Sequence, residues 1–118
     1  MALTKLILAF GCAASTAIAF SGDLTYYTPG LGACGKPNTE ADRVVALPEG
    51  QYCKISNPND CYKCGDFINI HYNGKSTTAQ IKDKCWGCEG DSIDVSPTVF
   101  KELEALEAGR IQVTWEYA

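Results

Sequence analysis

Hydrophobic positions alternate most cleanly near the C-terminus. There Ile111, Val113, Trp115 and Tyr117 fall on one side of the chain and Gln112, Thr114 and Glu116 on the other. A period of two over that length predicts a half-buried strand across Arg110–Tyr117, with Trp115 in the core. Phe67–Tyr72 and Ser76–Lys82 are β-rich runs flanking Asn73-Gly74, the pair that favours a type I′ hairpin turn. Short apolar runs at Val44–Leu47 and Ile93–Val95 and the aromatic, β-branched segment Asp23–Thr28 add three further strands. Helical spacing occurs once: Val99, Phe100, Leu103 and Leu106 share a face of Pro97–Ala108. Ser96 reads as its cap, Pro97 as its first residue and Gly109 as its stop. Pro29–Gly35, with three glycines, and Pro48–Cys64, rich in Pro, Gly, Asn, Ser and Cys, read as irregular loops. Several short strands, one main helix and long connections describe a mainly β domain. A closed barrel suits it because closure removes exposed strand edges.

The N-terminus changes the domain limits. Met1–Lys5 is a short positive segment, Leu6–Ala14 is mostly apolar, and Ala17-Ile18-Ala19 has the small-x-small pattern of a signal-peptidase site. Residues 1–19 are therefore expected to be a signal peptide, leaving one domain over residues 20–118 that is secreted and holds no membrane span. The stretch before Cys12, Ala9-Phe10-Gly11, is a poor lipoprotein signal. Loss of Lys5 leaves nine basic and fourteen acidic residues, a net charge near −5, and the basic residues form no patch. That balance argues against nucleic acid and anionic membranes as partners.

Cleavage also removes Cys12 and leaves six cysteines: Cys34, Cys53, Cys61, Cys64, Cys85 and Cys88. The two Cys-x2-Cys pairs have the spacing of a four-cysteine zinc site, but an oxidising route favours disulfides, and three disulfides use every thiol. No metal or cofactor is expected. The spacing does not choose among the fifteen possible pairings.

The candidate chemistry is concentrated in Ile81–Phe100. Asp83 and Asp94 stand at the ends of apolar segments, with Cys85-Trp86-Gly87-Cys88 between them and a helix start behind. Two strand-end carboxylates on one surface are the pair that glycosidic chemistry requires. His71, the only histidine, lies on a predicted strand with no partner motif nearby and is read as structural.

Thr25-Tyr26-Tyr27, the Gly-Leu-Gly-Ala-Cys-Gly run at 30–35, Asp83-x-Cys85-x-Gly87-Cys88, Ile93-Asp94-Val95-Ser96-Pro97 and Val113-Thr114-Trp115 together resemble the double-psi β-barrel superfamily. They are most similar to small secreted single-domain proteins related to the rare lipoprotein A domain, in the barwin and expansin group. The resemblance implies a six-stranded, disulfide-stabilised barrel acting as a monomer. It gives Asp94 the position of a general acid and Asp83 that of a second groove acid. It makes Thr25, Tyr26, Tyr27 and Trp86 candidate substrate contacts, although adjacent Tyr26 and Tyr27 cannot line the same face. It also implies a base near the end of the first strand in hydrolytic relatives, where Tyr26-Tyr27-Thr28-Pro29 offers no carboxylate. Three functions follow as expectations. The first is non-hydrolytic binding or loosening of cell-wall polysaccharide. The second is inhibition of a secreted papain-like protease or a host-directed effector role, and the third is a lytic transglycosylase or weak glycosidase.

Overall fold

A computed structural model describes residues 18–118. Cys12 and all but the last two residues of the predicted signal peptide lie outside them. Six strands, β1 (Phe20–Tyr26), β2 (Val44–Pro48), β3 (Phe67–Tyr72), β4 (Lys75–Cys85), β5 (Ile93–Val95) and β6 (Ile111–Tyr117), close a barrel in the order β1-β5-β2-β4-β3-β6. The β1–β5 and β2–β4 pairs are parallel and the other four antiparallel. The hairpin turn is as expected: Asn73 and Gly74 both take positive φ, 50° and 81°, between the paired residues Tyr72 and Lys75.

Inward positions fill the barrel with Leu24, Val45, Leu47, Ile68, Ile70, Ile81, Ile93, Val95 and Trp115, all fully buried. The period-two reading of β6 holds, and Trp115 donates its Nε1–H to the Asp91 carbonyl at 2.8 Å, which satisfies the polar end of a buried indole. Strand β1 begins at Phe20, earlier than expected, because β6 offers it a partner from Trp115 back to Ile111.

Two expectations need correction. The helix spans only Pro97–Phe100, here α1. Hydrogen-bonded turns carry the chain through Leu103, and a separate 3-10 turn covers Leu106–Ala108. The chain breaks at Ala105, which is extended (ψ 144°), and the Leu103 carbonyl accepts from Lys75 Nζ at 3.2 Å. Val99, Phe100 and Leu103 already seal the barrel, so nothing demands a longer helix. Ser96, moreover, makes no side-chain cap. Its buried hydroxyl accepts from Val44 N–H and donates to the Asp42 carbonyl, which ties the start of β2 to the end of β5.

Three disulfides join Cys34 to Cys64, Cys53 to Cys61 and Cys85 to Cys88. The two Cys-x2-Cys pairs therefore do not form one cluster: Cys61 and Cys64 belong to different crosslinks. Cys34–Cys64 fastens the glycine loop to the cysteine-rich excursion, and Cys85–Cys88 closes the short loop after β4.

Candidate functional site

Strand register brings four residues into one row across the barrel's outer surface. Thr25 pairs with Asp94, Asp94 with Ala46, and Ala46 with Asp83. Their chain neighbours Leu24, Ile93, Val45 and Val95 point into the core, so this row points out. Asp83 reaches it through a register shift between Val45 and Ala46. Ile81 pairs with Val45, but Asp83, two residues on, already pairs with Ala46. Without that bulge, alternation from the buried Ala79 and Ile81 would turn Asp83 inward. Ala46 contributes only a methyl between the two acids.

The acids are held differently. Asp83 accepts three hydrogen bonds: from the Tyr27 hydroxyl at 3.0 Å, and from the backbone N–H groups of Ala33 and Lys84 at 2.8 Å each. It thus anchors both Tyr27 and the glycine loop. Gly32 lies so close that a Cβ there would stand 2.5 Å from the Lys82 carbonyl and 3.2 Å from the Asp83 carboxyl carbon. Asp94 accepts a side-chain hydrogen bond from the Thr25 hydroxyl alone, at 3.0 Å. Burial raises the Asp94 pKa from its ordinary value and the charge of Asp83 pushes the same way, against the Thr25 hydrogen bond and the Arg110 charge. Tyr27 is likewise raised, by burial first and then by the charge and hydrogen bond of Asp83.

Asp94 opens into a cavity of about 640 Å³ whose walls include Thr25, Cys88, Glu89, Asp23 and Arg110. Asp83 does not line it. The two acids share an outer face, but Asp94 is the open one and Asp83 is engaged beneath the glycine loop. Two further carboxylates, Asp23 and Glu89, share the Asp94 cavity. Asp23 is 3.0 Å from Arg110. Pairing of β1 with β5 and β6 brings Asp23 and Asp94 together, and the loop after β4 adds Glu89.

The aromatic candidates separate as alternation requires. Tyr27 belongs to the carboxylate row. Tyr26 packs its ring on Phe100 at 4.9 Å and donates to the Leu106 carbonyl at 2.9 Å, away from the acids. Trp86, 73% exposed at the Cys85–Cys88 loop, carries the Lys84 ammonium 3.7 Å from its ring centroid. Cys85, Gly87 and Cys88 of that loop border the Asp94 cavity.

No family model matches the chain. Among curated proteins it is 35% identical over 101 residues to the papain inhibitor of Streptomyces mobaraensis, covering 82% of this chain and 70% of that one. It is 42% identical over 84 residues to an Asp f 7 allergen homolog of Arthroderma benhamiae, covering 70% of this chain but only 28% of that protein. Among solved structures, the Streptomyces papain inhibitor superposes with a TM-score of 0.80 at 32% identity, over 88% of this chain and 97% of that one. A Clavibacter michiganensis expansin solved in complex with cellohexaose superposes with a TM-score of 0.71 at 26% identity, over 86% of this chain and half of that one.

Proposed function

This chain belongs to the family of the Streptomyces mobaraensis papain inhibitor, small barrels of the double-psi type, and from that premise we propose that it binds cell-wall polysaccharide outside the cell without hydrolysing it. The observation that carries the reading is the outward row Thr25–Asp94–Ala46–Asp83. It sets one open carboxyl, one engaged carboxyl and the Tyr27 ring along a polar face. Carboxyl and hydroxyl groups on a shallow, partly aromatic surface suit sugar hydroxyls and ring faces. The expansin solved with cellohexaose supports that ligand class for the fold. We extend the same proposal to the finer placement with rare lipoprotein A-like and barwin-like proteins, to removal of residues 1–19 as a signal peptide, and to a monomeric secreted form. Among the described residues no helix is long and apolar enough to cross a membrane.

The test is depletion from solution by insoluble cellulose, chitin and peptidoglycan, with sugar release measured alongside. The wild type is retained on at least one polymer and releases no reducing sugar. Asp94→Ala weakens retention about tenfold, the loss of one good hydrogen bond to a charged group. Retention on none of the three, or equal retention of the variant, counts against the reading.

A second reading, inhibition of a papain-like protease, rests on the full-length relationship and on Trp86. An exposed indole on a disulfide-closed loop is already ordered, so docking it into an apolar pocket costs little further entropy. Titration of papain activity with wild type and Trp86→Ala separates the two readings. Inhibition that is lost in Trp86→Ala but kept in Asp94→Ala favours the second.

A further inference from the structure

On the side of the barrel away from the carboxylate row, register builds a second polar row. Ser21 pairs with Thr114, Thr114 with His71, and His71 with Ser76. The first row runs over β1, β5, β2 and β4, and this one over β1, β6, β3 and β4. The single histidine, unpartnered in the sequence, is held on both ring nitrogens. Ser76 Oγ lies 2.6 Å from Nδ1, and both Glu116 carboxylate oxygens lie 2.9 Å from Nε2. A carboxylate only accepts, so in the neutral ring Nε2–H donates to Glu116 and Nδ1 accepts from the Ser76 hydroxyl.

We propose that Ser76, His71 and Glu116 form a nucleophile–base–carboxylate relay that hydrolyses esters of polyhydroxylated alcohols. The groups are ordered as such chemistry needs: Glu116 has a side chain 17% exposed, His71 is 41% exposed in front of it, and Ser76 is exposed. In front of them lies an open cavity of about 680 Å³, lined by His71, Ser76, Asn73, Gln112, Thr114 and Asp23 among others. Those polar walls suit an alcohol rich in hydroxyls.

In the reaction the Ser76 proton passes to His71 Nδ1 while Oγ bonds to the ester carbonyl carbon. The tetrahedral intermediate expels the alcohol, which leaves with that proton. Water then attacks the acyl-serine by the same relay, releasing the carboxylic acid and restoring Ser76. Water is the only co-reactant.

The experiment uses the purified chain with p-nitrophenyl acetate as substrate and a fluorophosphonate as active-site label, mapped by mass spectrometry. Wild type is labelled on Ser76, and its hydrolysis falls about 100-fold or more in Ser76→Ala and in His71→Asn. Glu116→Gln lowers both hydrolysis and labelling, which a hydrogen-bond network that only braces the hairpin would not do. Each variant's far-ultraviolet circular dichroism and melting curve establish that the barrel is intact. Absence of labelling at Ser76, or hydrolysis equal in wild type and Ser76→Ala, overturns the proposal. This row and the carboxylate row are tested by different variants, so either function can fail alone.

Discussion

At the scale of single residues, Asp94 is the position where chemistry and stability pull apart. Its carboxyl is raised by burial above the range it has in an unfolded chain. As pH rises through the unfolded and then the folded pKa, the native state holds the proton longer. Stability is therefore lost with rising pH at this site, and is unaffected by it below both values. Asp94→Asn keeps an oxygen for the Thr25 hydroxyl but removes the titration. Its stability relative to wild type should rise as the pH is raised through and beyond the ordinary aspartate range, read by urea denaturation at each pH. A difference that stays constant or falls would show that Asp94 is not held above its ordinary range. The acids themselves were visible in the sequence as strand-end carboxylates, but their inequality was not. Whether Asp83 faces outward depends on the register shift between Val45 and Ala46, and its engagement depends on Ala33, fifty residues away. The partners of His71 were hidden for a similar reason: Glu116 reaches it only after β6 has paired with β3.

Among the elements, the strands and the start of the helix were legible and the helix's length was not. Phe67–Tyr72, Ile93–Val95 and the Asn73-Gly74 turn follow from alternation and turn chemistry, which are local. The helical face of Val99, Phe100 and Leu103 was also legible, but its length was set by what the barrel end needs sealed and by Lys75 taking the Leu103 carbonyl. Ser96 shows the same limit. Ser before Pro at a helix start reads as a cap, yet its hydroxyl joins β2 to β5. Ser96→Ala should therefore cost about 1–3 kcal/mol, because it leaves the buried Val44 N–H and the Asp42 carbonyl without that partner. A loss below about 0.5 kcal/mol, measured by urea denaturation, would mean that the hydroxyl is as dispensable as an unused cap.

For the molecule as a whole, the antiparallel β2–β5 and parallel β2–β4 pairs bring Asp94 and Asp83 to either side of Ala46, while crosslinks hold the irregular segments beside them. Six paired thiols were expected; their partners were not, because pairing follows three-dimensional approach rather than spacing. Cys34–Cys64 spans 30 residues of sequence and Cys85–Cys88 only 3. On chain-entropy grounds, removing the first as a Cys→Ser pair should cost about 3–4 kcal/mol and the second about 2 kcal/mol. Equal losses in calorimetry or denaturant titration would locate their stabilisation elsewhere. The measurement that bears most directly on the central claim is backbone amide shift mapping by NMR during titration with soluble cellohexaose and chitohexaose. A saturable response centred on Thr25, Tyr27 and Asp94, abolished in Asp94→Ala, is the expected result. No response to either sugar, or one confined to the Trp86 loop, would contradict polysaccharide binding at the carboxylate row.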